Sequence, residues 1–369
     1  MACRNTASCW CAAVPRGEME PTLRGRDGFL HRYVLLVPED YDPSRRWPVR
    51  VFLHGGTTQR SQPGPQDTWW PDLDLVRSER YISVVPDAWN TSLWWQGGQV
   101  DALHDILADV KRVFNVDENR VYVCGFSDGG GGTYFLGYRD TTPWAAFLPL
   151  IGNPGVLRNS RYAPEGRTDA ANLLNKPLFI VNARDDLTHP WKKVEPWIRQ
   201  LRSAGVDFEF HMEDGGHDIR WWKQEEPSMD RFIAEHPRDP LPDTVIWATD
   251  RTDRYNRAAW LVIEELGRLP TDPRHRDLAA LTADGKAGVV RVVRGGNTYT
   301  AEAYGVRRFR ILLSPDEVDL SRPIRVVVNG VERFNGVVAP DERTLLEWAA
   351  VDLDRTMLFA SEVTIDVAP

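Results

Sequence analysis

One octapeptide constrains this chain more than any other feature. Gly125-Phe126-Ser127-Asp128-Gly129-Gly130-Gly131-Gly132 stands between the apolar run Val121–Cys124 and the helical stretch Gly130–Tyr138. A Gly-x-Ser-x-Gly segment between strand and helix sets its serine on a strained turn, with Oγ exposed above the sheet edge. The flanking glycines let the helix approach that turn without side-chain clashes. A glycine in a helix interior costs about 1 kcal/mol relative to alanine, so four in succession imply close packing that a side chain would prevent. A plain glycine-rich loop closing an α/β unit is the competing reading, and the four glycines weigh against it.

The surrounding pattern supplies the strands and helices that such a turn requires. Short apolar runs at Tyr33–Val37, Val49–Leu53, Ile82–Val85, Val121–Cys124, Phe147–Ile151, Leu178–Val181 and Phe208–His211 read as strands. Between the third and fourth, Leu103, Ile106, Leu107, Val110, Val113 and Phe114 recur at helical spacing. Further helices are expected at Trp191–Arg202 and Trp222–Glu235. This alternation predicts a mostly parallel sheet with helices on both faces. With 369 residues, two domains are expected.

The texture changes after His236. The Pro-rich stretch 236–243 reads as a linker. Beyond it, Phe309, Ile311 and Leu313 alternate as in a half-buried strand, and Ile324–Val328, Asn329-Gly330 and Val331–Phe334 read as a hairpin. Tyr255–Gly267 fits helix or strand. The expected division is a poorly structured leader at 1–30, an α/β unit at 31–238 and a small antiparallel β domain, sandwich-like, at 239–369.

Three other loops leave the same sheet edge as Ser127. Leu53-His54-Gly55-Gly56 closes one strand, and its turn can aim a backbone N–H, assigned to Gly56, at a developing oxyanion. The N–H of Asp128 would supply the second donor. The Asp128 side chain, at a helix start, is expected to complement the helix dipole. His54 is read as shaping the turn and not as a base. A nucleophilic serine needs a base and an orienting acid, in the order serine, acid, histidine for this topology. Asp186, with Asp185 as alternate, follows Leu178–Val181, and His217, behind Gly215-Gly216, follows Phe208–His211.

The ordered set His54-Gly55-Gly56, Gly125-Phe126-Ser127-Asp128-Gly129, Asp186 and His217 resembles the α/β-hydrolase superfamily. Its esterase, polyhydroxybutyrate-depolymerase-like and prolyl-oligopeptidase-like branches are the nearest. The likeness covers about residues 30–236. It implies an α/β-hydrolase fold and a serine hydrolase without cofactor or metal, with Ser127 as nucleophile, His217 as base and Asp186 as orienter. The substrate it implies is a small-molecule or polymer ester. Too few residues precede the first strand for the propeller of prolyl oligopeptidases, which weighs against the peptidase alternative. A second alternative is a non-catalytic module that binds a polymer.

Fifteen tryptophans are the compositional oddity of the chain. Eight fall on loops at the sheet edge that carries Ser127, among them Trp69, Trp70, Trp94, Trp95 and Trp221. Those five are expected to wall a substrate cleft, against a packing role for Trp191 and Trp222 at helix starts. A net charge of −8 leaves no broad basic surface for nucleic acid. The longest apolar run, Trp144 to Gly152, falls far short of the ~20 residues of a spanning helix. Three of the four cysteines (Cys3, Cys9, Cys11) lie in the first residues, where no signal-peptide core is found, so the cytoplasm is the expected location. The sequence does not speak to oligomeric state.

Overall fold

A computed structural model describes residues 15–64, 67–70, 72–269 and 276–367; the three leader cysteines lie outside these. The first unit is built on strands β1 (Gly17–Met19), β2 (Thr22–Arg24), β3 (Leu30–Val37), β4 (Trp47–Leu53), β5 (Ile82–Pro86), β6 (Val116–Phe126), β7 (Phe147–Leu150), β8 (Leu178–Ala183) and β9 (Phe208–Glu213). Among the described residues they form one sheet in the order β1-β3-β5-β4-β6-β7-β8-β9, with β2 paired to β3. From β5 to β9 every pairing is parallel. The expected leader at 1–30 is therefore too long: β1 and β2 pair antiparallel with β3. Each is only three residues, too short to show a periodicity in sequence.

The central strands are buried on both faces, and alternation along them divides the core in two. Val49, Val51, Val121 and Val123 enter one cluster, whereas Phe52, Tyr122 and Cys124 enter the other. Helices α1 (Gly97–Val113), α2 (Asp128–Arg139), α3 (Ala170–Leu173), α4 (Trp191–Ala204) and α5 (Trp222–Glu235) accompany the sheet. Helix α1 buries Val100, Leu103, Ile106, Leu107 and Val110, one apolar stripe at the anticipated spacing. No helix among the described residues is long and apolar enough to cross a membrane.

The second unit has two sheets. One orders β10 (Thr244–Thr249), β13 (Gly288–Gly295), β14 (Thr298–Tyr304), β16 (Ile324–Val328) and β17 (Val331–Gly336). The other orders β11 (Arg257–Ala258), β12 (Leu261–Leu266), β15 (Val306–Leu313) and β18 (Ser361–Asp366). Trp247, Val290, Val292 and Val326 from the first sheet share a core with Ile263, Phe309, Ile311 and Ile365 from the second, which makes a sandwich. Tyr255–Gly267 is thus strand and not helix. Asn329 (φ 50°) and Gly330 (φ 80°) make the hairpin turn between β16 and β17.

Two expectations for this unit need correction. It is not wholly antiparallel, because β14 pairs parallel with β16 after the chain has crossed to the other sheet through β15. It also carries helices α6 (Arg276–Ala280) and α7 (Glu342–Asp352), the latter capped by the Asp341 carboxylate on the N–H groups of Arg343 and Thr344. The 236–243 segment is pinned rather than loose: Arg238 is buried, pairs with Asp354 and donates to Asn119 Oδ1 at 2.9 Å.

Candidate active site

The turn from β6 into α2 is possible only because side chains are missing there. A Cβ on Gly125 would meet Gly129 O at 2.3 Å, and one on Gly129 would meet Leu53 O at 1.9 Å. A Cβ on Gly132 would fall 2.4 Å from Trp94 Cβ. Helix α2 is thereby seated on β4 and on the Trp94-Trp95 pair, as the run of four glycines demanded. Ser127, between strand and helix, takes φ 57° and ψ −119°, a conformation costly for a side-chain-bearing residue. Its N–H donates to Leu150 O at 3.0 Å, which ties the strained turn to β7.

Three side chains meet at this turn. Ser127 Oγ lies 2.7 Å from His217 Nε2, and His217 Nδ1 lies 2.7 Å from Asp186 Oδ2. A carboxylate only accepts, so Nδ1 carries the proton and Nε2 is left to accept from the serine hydroxyl. The Asp186 side chain is fully buried, and its Oδ1 accepts from the N–H groups of Thr188 and His189, both at 2.8 Å. Asp185 is exposed, and among the described residues the carboxylate that meets His217 is that of Asp186. Gly215, at φ 108°, supplies the bend that brings the following histidine back over the sheet edge.

The Leu53-His54-Gly55-Gly56 turn faces the serine: a Cβ on Gly55 would come within 2.9 Å of Ser127 Cβ. The N–H groups of Gly56 and Asp128 have no hydrogen-bond acceptor among the described residues, and both residues line the cleft. His54 is buried and holds the turn from beneath. Its Nδ1 donates to Gly55 O at 2.9 Å and its Nε2 accepts from the Ala88 N–H at 3.1 Å, which fixes one neutral tautomer. Burial pushes its pKa down to about 4, in accord with a shaping role and not a base. The Asp128 carboxylate does more than face the helix dipole. Its Oδ2 accepts from Thr57 Oγ1, Thr58 N and Thr58 Oγ1 at 3.1–3.2 Å, so it clamps the loop that carries Gly56. No spacing rule signalled that contact.

The cleft around Ser127 has a volume of about 940 Å³. Phe126, Ile151, Val156 and Ile219 give it apolar walls, and Thr58, Gln59, Asn159, Thr188 and Asp218 add polar groups. Tyr162, half exposed, stands at its rim. Ile151 takes φ 41°, and its carbonyl accepts from His189 Nδ1 at 2.7 Å. His189 also packs edge-on against His217, with ring centroids 5.1 Å apart. Burial and the neighbouring His217 lower its pKa.

The expected tryptophan-walled cleft is overturned. Trp69, Trp70, Trp94 and Trp221 are buried and absent from the cleft lining. Trp95 alone borders it, and at 1% exposure it offers no stacking face. These rings are scaffold. Trp94 Nε1 donates to His54 O at 2.9 Å, Trp69 Nε1 to Val85 O at 3.2 Å, and Trp70 meets Phe126 edge-on at 5.3 Å. Apolar contact beneath the catalytic loops removed them from solvent, a choice that loop position in sequence does not reveal.

A strained serine after the central parallel strand β6, with an acid after β8 and a histidine after β9 in the order serine, acid, histidine, decides the fold. The chain has the α/β-hydrolase fold. No family model matches it. It is 29% identical over 288 residues to a bifunctional acetylxylan esterase/xylanase of Neocallimastix patriciarum, covering 76% of this chain and 37% of that protein. That share is too large to lie within residues 1–238, so the likeness reaches the second unit. Feruloyl esterase C of Emericella nidulans is 29% identical over 146 residues, 38% of this chain and 54% of its own. Dipeptidyl-peptidase 5 of Porphyromonas gingivalis is 25% identical over 203 residues, 48% and 28% respectively. The chain spans less than two thirds of the length of each.

Proposed function

We propose that this α/β hydrolase cleaves carboxylic esters through an acyl-enzyme formed on Ser127. The observation that carries the reading is the continuous relay Ser127–His217–Asp186, two contacts of 2.7 Å with a buried acid at its end. His217 takes the serine proton as Oγ adds to the ester carbonyl. The oxyanion is stabilised by the N–H groups of Gly56 and Asp128. As the tetrahedral species collapses, His217 returns the proton to the leaving alcohol. Water, deprotonated by the same imidazole, then releases the acid and restores the serine. Asp186 keeps the imidazole in the tautomer that both steps need. The apolar walls at Phe126, Ile151, Val156 and Ile219 suit an acyl group, and the polar rim suits a hydroxylated leaving group.

Relatives named for acetylxylan and feruloyl esters favour an acetyl or feruloyl group borne on a saccharide. A panel of an aryl acetate, methyl ferulate, acetylated xylan and a dipeptidyl anilide tests this, with Ser127→Ala as control. Ester turnover that vanishes in the variant is expected. Anilide cleavage with negligible ester turnover would instead make the protein a peptidase. Tight xylan binding with no turnover of any substrate would make it a binding module.

A further inference from the structure

The cleft wall that carries Val156, Asn159 and Tyr162 belongs to a long connection between β7 and α3; Leu157 and Ala163 seat it in the catalytic unit's core, and its far end is shared with the second unit. A short helical turn, Pro154–Arg158, opens this connection, and Trp95 Nε1 donates to Tyr162 O at 2.9 Å. Three residues on, Glu165 turns toward the second unit. Its Oε2 accepts from Tyr255 Oη at 2.8 Å and its Oε1 from Arg251 Nη1 at 3.2 Å. Arg167 continues the contact, donating to Asp284 at 2.8 Å, and the Asp169 carboxylate accepts from Ala283 N at 2.8 Å.

Tyr255 lies on the excursion between β10 and β11, yet it packs as a member of the first unit's core. Its ring meets Phe135 of α2 edge-on at 5.8 Å, under the guanidinium of Arg139 at 4.6 Å. Its φ of 55° is unfavourable for a residue with a side chain, a strain this packing sustains. Next to it, Arg254 donates to Gly97 O at 3.0 Å, and a Cβ on Gly97 would overlap it at 1.9 Å. One excursion of the sandwich is thus built into the catalytic unit and ends on the carboxylate of the cleft-wall loop.

We infer that the second unit sets substrate selectivity, through Tyr255 and Arg251 positioning Glu165 and hence the cleft wall 156–162. Glu165 is a positioning residue: it does not line the cleft and touches no reacting atom. Small acyl groups need only the serine turn and the oxyanion loop, whereas a bulky group must also seat against Val156 and Tyr162. The inference rests on the esterase reading above.

The test compares Glu165→Ala, Glu165→Gln and Tyr255→Phe with the wild type on two esters, an aryl acetate and methyl ferulate. Hydrogen exchange over residues 156–169 is measured alongside. Glu165→Ala should raise KM for methyl ferulate about five-fold and leave kcat, and both constants for the acetate, within about two-fold. Exchange in 156–169 should quicken about ten-fold while helix α1 is unchanged. Glu165→Gln, which keeps an acceptor for Tyr255, should fall between Glu165→Ala and the wild type. Tyr255→Phe keeps the ring in the core and should reproduce the KM shift without a loss of folding. An equal loss on both esters, or unchanged KM with unchanged exchange, would overturn the inference. Wild-type protein that turns over neither ester, while exchange still quickens in Glu165→Ala, would overturn the esterase reading and leave the tether standing.

Discussion

The two walls of the cleft are held in different ways. The segment from His54 to Gln59, beside the serine, is fixed from within the catalytic unit: His54 beneath it, Trp94 on the His54 carbonyl, and the Asp128 carboxylate across Thr57 and Thr58. All of these partners come from the residues that build the Ser127 turn or pack under it. The opposite segment, Val156 to Tyr162, is seated by Leu157 in the catalytic unit's core and by one bond from Trp95, and just beyond it Glu165 is held by the second unit. The serine-side wall is therefore held from within the catalytic unit alone. The opposite wall has a further tie from outside, where, on the inference drawn above, a change of tether alters selectivity without disturbing the serine turn.

The largest effect that bears on this contrast is at the acid. Asp186→Asn retains an oxygen for the Thr188 and His189 N–H groups but favours the wrong imidazole tautomer, and should lower kcat by about 10⁴-fold. Asp185→Asn, at an exposed carboxyl, should leave kcat within about two-fold. Comparable losses in the two variants would remove Asp186 from its role.

Next is Asp128→Ala, which frees Thr57 and Thr58 and so loosens Gly56. Steady-state kinetics should show kcat reduced about 100-fold with KM little changed, the signature of a donor lost in the transition state. A raised KM with unaltered kcat would make Asp128 a substrate contact instead.

The smallest effect concerns stability. His54 has a folded pKa near 4 against an ordinary imidazole value of 6.5. Above pH 6.5 both folded and unfolded forms are neutral there, and nothing is lost. Between pH 6.5 and 4 the unfolded chain binds the proton first, so stability falls as pH falls, by on the order of 3 kcal/mol at the acid end. Thermal melts from pH 7 to 4.5 should show a steeper decline for the wild type than for His54→Gln. Parallel declines would mean that His54 does not lock the turn as a neutral ring.

How far the sequence could go follows the same division. Ser127, Asp186 and His217 were legible because their positions depend on strand ends, and strand ends show in apolar runs flanked by glycine and aspartate. Two adjacent aspartates left the acid open in sequence, and the Asp186–His217 contact is what favours Asp186. The tryptophans misled because a ring on a loop after a strand looks alike whether it faces the cleft or the core; the fold turned Trp69, Trp70, Trp94 and Trp221 inward. Val156, Asn159 and Tyr162 carried no motif, since a wall needs only shape and polarity. Their tether joins residues about 90 apart, Glu165 and Tyr255, a distance that no local pattern spans.

On the proposed function, Ser127 is the nucleophile of an ester hydrolase. Intact-protein and peptide mass spectrometry after brief exposure to a fluorophosphonate tests it most directly, with aryl acetate turnover followed in the same samples. One adduct on the Ser127 peptide, formed in step with loss of turnover and absent from Ser127→Ala, is the expected result. Turnover that survives in Ser127→Ala, or inactivation with the adduct on another residue, would contradict it.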